Sequence, residues 1–298
     1  MTPNGADQAN TLRQGTTSGH RKFSKKAVRC IAVASGKGGV GKTFFAVNTA
    51  VALQSMGKKV LLLDADLGLA NADILLGSTP KVTLQDNIFS GVPLQEAVVK
   101  GPHNVDLLAA SSGAGEMLEI GNSRMQMLIE DLLEFASNYD VLILDCAAGI
   151  NDSVMAFVGA APRGALVTTP EPTAIMDAYA LMKVADQRES GGKFGIVMNM
   201  AADSSQGETI ADKLVKMARE YLSLQVEKWG IIPNSKAVSS AVRAKKPVIS
   251  YAQNEPVSRA IKTIAQKIIN QDRGQVQLDE LDADGLLDGL FKHGGAKE

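Results

Sequence analysis

Ser35-Gly36-Lys37-Gly38-Gly39-Val40-Gly41-Lys42-Thr43 is the stretch that decides how this 298-residue chain folds. From Gly36 to Thr43 it fits G-x-x-x-x-G-K-[ST], between an apolar run ending at Ser35 and a helical pattern running to Met56. Each residue type has a physical task. Glycines let backbone N–H groups converge on phosphate oxygens, and the N-terminus of the following helix adds a favourable dipole. Lys42 neutralises phosphate charge, and the Thr43 hydroxyl suits Mg2+. Gly36, Gly38, Gly39, Val40, Gly41, Lys42 and Thr43 thus form a candidate nucleotide cradle. Lys37 is left without a task.

Outward from this loop, short apolar runs recur at 30–35, 59–66, 105–111, 140–146, 165–170, 194–200 and 229–233. Their near-continuous hydrophobicity predicts strands covered on both faces. Helical patterns fall at 43–56, 124–137, 173–189, 208–222 and 256–271. The first is predicted to put Phe45, Thr49, Ala52 and Met56 on one side and to stop at Gly57. Such alternation predicts an α/β fold, a mostly parallel central sheet with helices on both faces, as one domain over residues 28–271. Residues 1–27 are polar, with Arg21, Lys22, Lys25 and Lys26 near their end, and read as a mobile tail. Residues 278–292, LDELDADGLLDGLFK, predict an appended amphipathic helix with Leu278, Leu281, Leu287, Leu290 and Phe291 on its apolar side.

Composition narrows the function. A formal net charge of −1 argues against broad attachment to nucleic acid. Cys30 and Cys146 read as buried thiols of a reducing compartment rather than a disulfide or metal site. His20, His103 and His293 have no ligand spacing. No apolar run is long enough to span a bilayer, and the polar N-terminus lacks the apolar core of a secretory signal.

Two further runs carry carboxylates. The apolar strand DVLILDC ends in Asp145, suited to hold Mg2+ directly or through water, and Ala147-Ala148-Gly149 after it can bend towards a γ-phosphate. LLLDADLGLAN, Leu61 to Asn71, places Asp64 and Asp66 at a strand end, where ligands gather in such sheets. Alternation along the strand lets both point into the site. One would then support the metal shell and the other orient the attacking water. The alternative is a pair of aspartates that cap the loop.

Together these motifs resemble the MinD/ParA family of deviant Walker A ATPases, over residues 28 to 270. Asp64-Ala65-Asp66-Leu67-Gly68-Leu69-Ala70-Asn71 looks like the MinD branch. Asp7-Gln8-Ala9-Asn10-Thr11-Leu12-Arg13 in the tail matches the DQAxxLR motif of the FlhG branch, regulators of flagellar number and placement. The resemblance implies a slow ATPase with ATP/ADP and Mg2+ as ligands, stimulated by forming a homodimer in ATP. Lys37 would reach the partner subunit's nucleotide, Lys42 and Thr43 would act in cis, and Asp66 would be the catalytic carboxylate. Asp145, together with Asp64, would support Mg2+. Asn71 would lie near the γ-phosphate and dimer seam, and Asn199, Pro233 and Asn234 would frame the adenine. Met200 stands where many relatives have arginine, so base contacts must come from elsewhere.

The same resemblance implies that Asp7, Gln8, Leu12 and Arg13 dock on FlhF, a signal-recognition-particle-type GTPase, with Gln8 orienting a water. A flagellar transcription factor or a basal-body protein is a further implied partner. The chain is expected in the cytoplasm, with peripheral membrane contact at a cell pole. For residues 278–292 two readings stand: lipid insertion, which the family favours, and packing on protein, which the acidic polar face favours. Rival functions are ParA-like segregation of DNA or other cargo, placement of a division site, and an adaptor whose ATPase domain is vestigial. Arg243, Lys245 and Lys246 are too few to argue DNA binding, and intact Lys42, Thr43, Asp66 and Asp145 speak against the vestigial reading.

Overall fold

The run Cys30–Ser35 and its neighbours form β1 (Arg29–Ser35), buried along its whole length. This computed structural model describes residues 28–66, 71–109, 131–132, 134–188 and 192–270. The tail with Asp7, Gln8, Leu12 and Arg13, the segment 67–70 and the helix expected at 278–292 lie outside the described residues. Of the helix expected at 124–137, the described residues 131–132 and 134–136 are helical.

After β1 come α1 (Lys42–Ser55), β2 (Val60–Ala65), α2 (Ala72–Leu76), α3 (Leu84–Ser90), α4 (Leu94–Ala97), β3 (Val98–Lys100) and β4 (Asp106–Leu108). The chain continues through β5 (Val141–Ala148), α5 (Asp152–Ala160), β6 (Arg163–Thr168), α6 (Pro172–Gln187), β7 (Lys193–Ala201) and α7 (Ser204–Tyr221). It ends in β8 (Gln225–Pro233), α8 (Lys236–Arg243), α9 (Val248–Tyr251) and α10 (Pro256–Asn270). The sheet runs β3-β4-β2-β5-β1-β6-β7-β8. Every neighbouring pair is parallel except β3 with β4. The α/β expectation is therefore met.

Period-2 alternation sorts the strand side chains onto two cores. Cys30, Ala32, Leu61, Leu63, Leu142 and Leu144 join one core, with α5, α6 and α7. Ile31, Val33, Val60, Leu62, Val141 and Ile143 join the other, with α1 and α10. Burying each large aliphatic side chain contributes roughly 1.5–3 kcal/mol, so the central strands anchor the fold. Carried two residues further, the same alternation puts Asp64 and Asp145 on the α1 face, and these two pair directly in register. Because β2 and β6 leave β1 towards opposite edges, a crevice opens at the strands' carboxyl ends, where such sheets bind ligands.

Burial of the helix after the loop extends beyond the side that carries Phe45, Thr49 and Ala52: every residue from Phe45 to Leu53 is buried. The helix lies between the sheet and α10, so both of its sides meet protein. Even its polar Asn48 is satisfied there, donating to the Phe44 carbonyl and accepting from the Ile249 N–H. Gly57 follows the helix at φ +79°, as expected of a stop residue.

Candidate functional site

The loop between β1 and α1 is fixed from three sides. The Ser35 hydroxyl donates to the Lys37 carbonyl at 2.7 Å. α6 presses on Gly36 so closely that a Cβ there would sit 2.1 Å from the Asp177 carbonyl oxygen. Gly41 precedes α1 at φ +90°, and a Cβ there would fall 2.3 Å from the Asn199 amide nitrogen. That amide, itself buried, donates to the Val40 carbonyl at 2.8 Å. Asn199 at the end of β7 therefore holds the loop's shape, a task the sequence did not disclose.

Lys42 opens α1 and is buried, which lowers its pKa, while Asp145 and Asp66 pull it back up. Asp145 lies opposite Val33 and Asp64 at the strand ends, 1% exposed. Neither of its oxygens meets full hydrogen-bond geometry, although the Thr43 hydroxyl lies close enough to interact with it. Burial, then the neighbouring Asp64, pushes its pKa up to about 8; the Thr43 hydroxyl and Lys42 act the other way. A buried carboxylate without partners is costly unless a cation or proton joins it. Asp145 with Thr43 therefore fits a Mg2+ ion carried in on phosphate. Among the described residues no three His, Cys, Asp or Glu side chains form a ready metal cage. Mg2+ keeps several waters and takes few protein oxygens, so Asp145 and Thr43 are donors of the right kind for it.

Asp64 has other work. Its Oδ1 accepts the Asp66 N–H at 3.2 Å, and its Oδ2 accepts those of Asn71 and Ala72 at 3.0 Å each. It ties both sides of the loop after β2 together and caps α2, much as the loop-capping reading has it. Burial pushes it up to about 6. Asp66 is half-buried one step further along, and Asn71 is exposed at the start of α2. Gly149, at φ +103°, donates to the Ser35 carbonyl at 2.9 Å, so 147–149 lie against the loop. On the opposite side, the Asn234 N–H donates to the Ala201 carbonyl at 2.9 Å, which brings Pro233 and Asn234 beside Asn199.

Lys37 is held within its own chain. Its amine donates to the Thr173 hydroxyl at 2.9 Å and lies 3.4 Å from a Glu171 carboxylate oxygen, both at the start of α6. Nothing in the sequence marked Glu171 or Thr173; only their place at a helix start after a strand could have. Cys30 and Cys146 are buried thiols, as expected, and burial pushes Cys30 up to about 12. No helix among the described residues is long and apolar enough to cross a membrane.

A phosphate-binding loop at the crevice of a mostly parallel sheet, with strand-end aspartates facing the helix it opens, defines a P-loop NTPase. Residues 26–269 match the family described as ParA, NUBPL iron-transfer P-loop NTPase. The chain is 41% identical over 245 residues to "Antiactivator FleN" of Pseudomonas aeruginosa, covering 82% of this chain and 88% of that protein. It is 30% identical over 274 residues to "Flagellum site-determining protein YlxH" of Helicobacter pylori, covering 91% and 92%. The solved structure of the septum site-determining protein MinD with Mg-ADP from Pyrococcus horikoshii is similar at a TM-score of 0.69 and 25% identity. That likeness covers 84% of this chain and 99% of that one. The chain belongs to the ParA family of P-loop NTPases and, within it, to the FlhG (FleN, YlxH) branch. The family implies nucleotide and Mg2+ binding and ATPase activity.

Proposed function

We propose that this chain is an ATP-dependent, dimerising switch ATPase that regulates flagellar number or placement, and that its tail activates an FlhF-type GTPase. The observation that carries the switch is the second loop lysine, Lys37, whose amine is held, among the described residues, by exposed side chains at the mouth of the site. Flagellar work is supported by the two relatives' printed names and by the tail motif. At 41% identity over 82% of the chain, against 34% over 80% for the MinD of Thermotoga maritima, the FleN likeness outweighs the one that would favour a division site.

In this reading the backbone of 36–43 and Lys42 would bind the phosphates, and Thr43 and Asp145 would hold Mg2+. Mg2+ supplies charge neutralisation at the phosphates. Asp66 orients the attacking water, while Asp64 keeps its loop in place. Asn71 and Ala147-Ala148-Gly149 lie where a γ-phosphate would be sensed, and binding there shifts the chain towards a dimer-competent state. Asn199, Pro233 and Asn234 frame the base.

Asp66→Ala is expected to lower ATP turnover about 100-fold or more, the usual scale for a water-positioning carboxylate, and to lengthen the life of an ATP dimer. Phosphate-release assays with light scattering in ATP and ADP read both. Unchanged turnover and dimer lifetime would sink the mechanism. For the tail, a peptide of residues 1–20 is expected to stimulate FlhF GTP hydrolysis, and the Gln8→Ala peptide is expected not to. Equal stimulation by the two peptides would remove Gln8 from the account.

A further inference from the structure

β1, β6 and β7 are neighbours in the sheet, in that order. The phosphate loop starts at the end of β1 and reaches Asn199 of β7, so it bridges the end of β6. Val33, Val167 and Val197, one from each strand, face the core that α1 covers. Two residues after each valine stands a buried polar side chain: Ser35, Thr169 and Asn199. Side chains alternate along extended backbone, so these three share the loop's side of the sheet. Thr169 lies one residue beyond β6, but Pro170 follows it and favours an extended backbone there.

Two of the three hold the loop. Ser35 donates its hydroxyl to the Lys37 carbonyl at 2.7 Å, and Asn199 its amide to the Val40 carbonyl at 2.8 Å. Thr169, between them, is different: it is 5% exposed, and its hydroxyl has no hydrogen-bond partner among the described residues. Its neighbour Thr168 is satisfied, donating to the Ala174 carbonyl at 3.0 Å. A buried hydroxyl left unpaired costs about 1–3 kcal/mol, so one under a binding loop calls for a use. The loop can supply it. A trans peptide whose N–H turns up to a phosphate turns its carbonyl down, towards the strand ends. In sequence, Gly38 and Gly39 fall between the two carbonyls already held. Gly39 sits at φ +77°, and glycines let those peptides rotate without strain.

We propose that Thr169 is a positioning residue of the phosphate site. As phosphates draw the loop's N–H groups upward, its hydroxyl donates to one of the two glycine carbonyls that turn down between Lys37 and Val40. The inference rests on the nucleotide-binding reading given above and deepens it. The bond acts on the loop alone, so it serves any ligand with a phosphate chain and involves no contact with a base.

The test is calorimetric titration of the full chain with Mg-ADP and with magnesium tripolyphosphate, alongside melting temperatures without ligand. Thr169→Val removes the hydroxyl and keeps the shape. It is expected to weaken both ligands by the same factor, about three- to tenfold, the scale of one hydrogen bond. Its melting temperature without ligand should hold or rise, because the bond forms only with phosphate in place. Thr169→Ser, which restores the hydroxyl, should recover the wild-type affinity to within about twofold. Undiminished affinity in Thr169→Val overturns the proposal. So does a valine variant that fails to fold or melts several degrees lower without ligand, since the hydroxyl would then serve the fold. A loss for Mg-ADP alone would put the hydroxyl on the nucleoside and overturns it too, as does a serine variant as weak as the valine one. Lys42→Ala is the control for the underlying reading. If the wild type bound neither ligand, or if Lys42→Ala bound both as the wild type does, that reading itself would fail and the proposal with it.

Discussion

A Lys37→Ala chain is expected to fold and bind ATP almost as the wild type does, yet to stay monomeric in ATP and to lose hydrolysis by about 1,000-fold. The magnitude is that of a cation supplied to developing phosphate charge from a second subunit. The three parts of this result separate because Lys37 and Lys42 do different work. Lys42 is buried at the start of α1 beside Asp145 and remains to neutralise a bound triphosphate. Among the described residues the Lys37 amine bonds to the exposed Glu171 and Thr173. Such an exposed pair contributes about 0–1 kcal/mol, so removing it should move the melting temperature by no more than a few degrees. In the two-subunit reading proposed above, the same weakness is what would let the amine leave Thr173 for another subunit's phosphate. Calorimetry for binding, light scattering for mass and phosphate release for turnover read the three parts independently. A monomer that hydrolyses ATP at the wild-type rate would end the two-subunit account.

The opening motif was legible because its physics is local. A glycine loop, a strand before it and a helix after it are contiguous in sequence, and their spacing alone predicts the cradle. The central strands were legible for a related reason, since burial on both faces leaves near-continuous apolar runs. What the sequence hid depends on distant contacts. Asn199 could be placed at a strand end, but its bond to Val40 joins residues 159 apart in sequence. The antiparallel edge strand Val98–Lys100 has no apolar run to announce it and forms by pairing with β4. Asp64 and Asp66 look alike in LLLDADLGLAN. Only the folded chain, which brings Asp66, Asn71 and Ala72 to it, shows that Asp64 is bonded to three backbone N–H groups. Lys37 was conspicuous as a spare cation, while its resting partners on α6 lie more than 130 residues away in sequence.

Asp145→Asn is expected to raise the stability of the nucleotide-free chain near pH 8 while abolishing Mg2+-dependent turnover. The sign follows from linkage. In the folded chain Asp145 holds its proton to about pH 8, whereas an unfolded aspartate releases it near 3.8. Between those values the folded state binds more protons than the unfolded one, so stability falls as pH rises. Asp64, pushed up to about 6, adds to the fall over the lower part of the window. The nucleotide-free wild type should therefore be more stable at pH 5 than at pH 8, by an amount on the order of 3 kcal/mol from Asp145 at about 1.4 kcal/mol per pKa unit with allowance for relaxation. An asparagine carries no charge to desolvate, so denaturant midpoints of the variant should change much less across that range. With Mg-ATP the order reverses. The carboxylate that burdens the empty site is the one that a cation would pair with, so the wild type should gain stability on adding Mg-ATP and the asparagine variant should gain much less. Turnover should fall about 100-fold or more for want of that ligand. A wild-type stability that rises from pH 5 to pH 8, or a variant as strongly stabilised by Mg-ATP, would show that Asp145 is not the strained metal carboxylate of the site. The instability of the empty site and its affinity for a metal nucleotide are thus two consequences of one placement: an aspartate at the end of a buried strand, on the face where α1 begins.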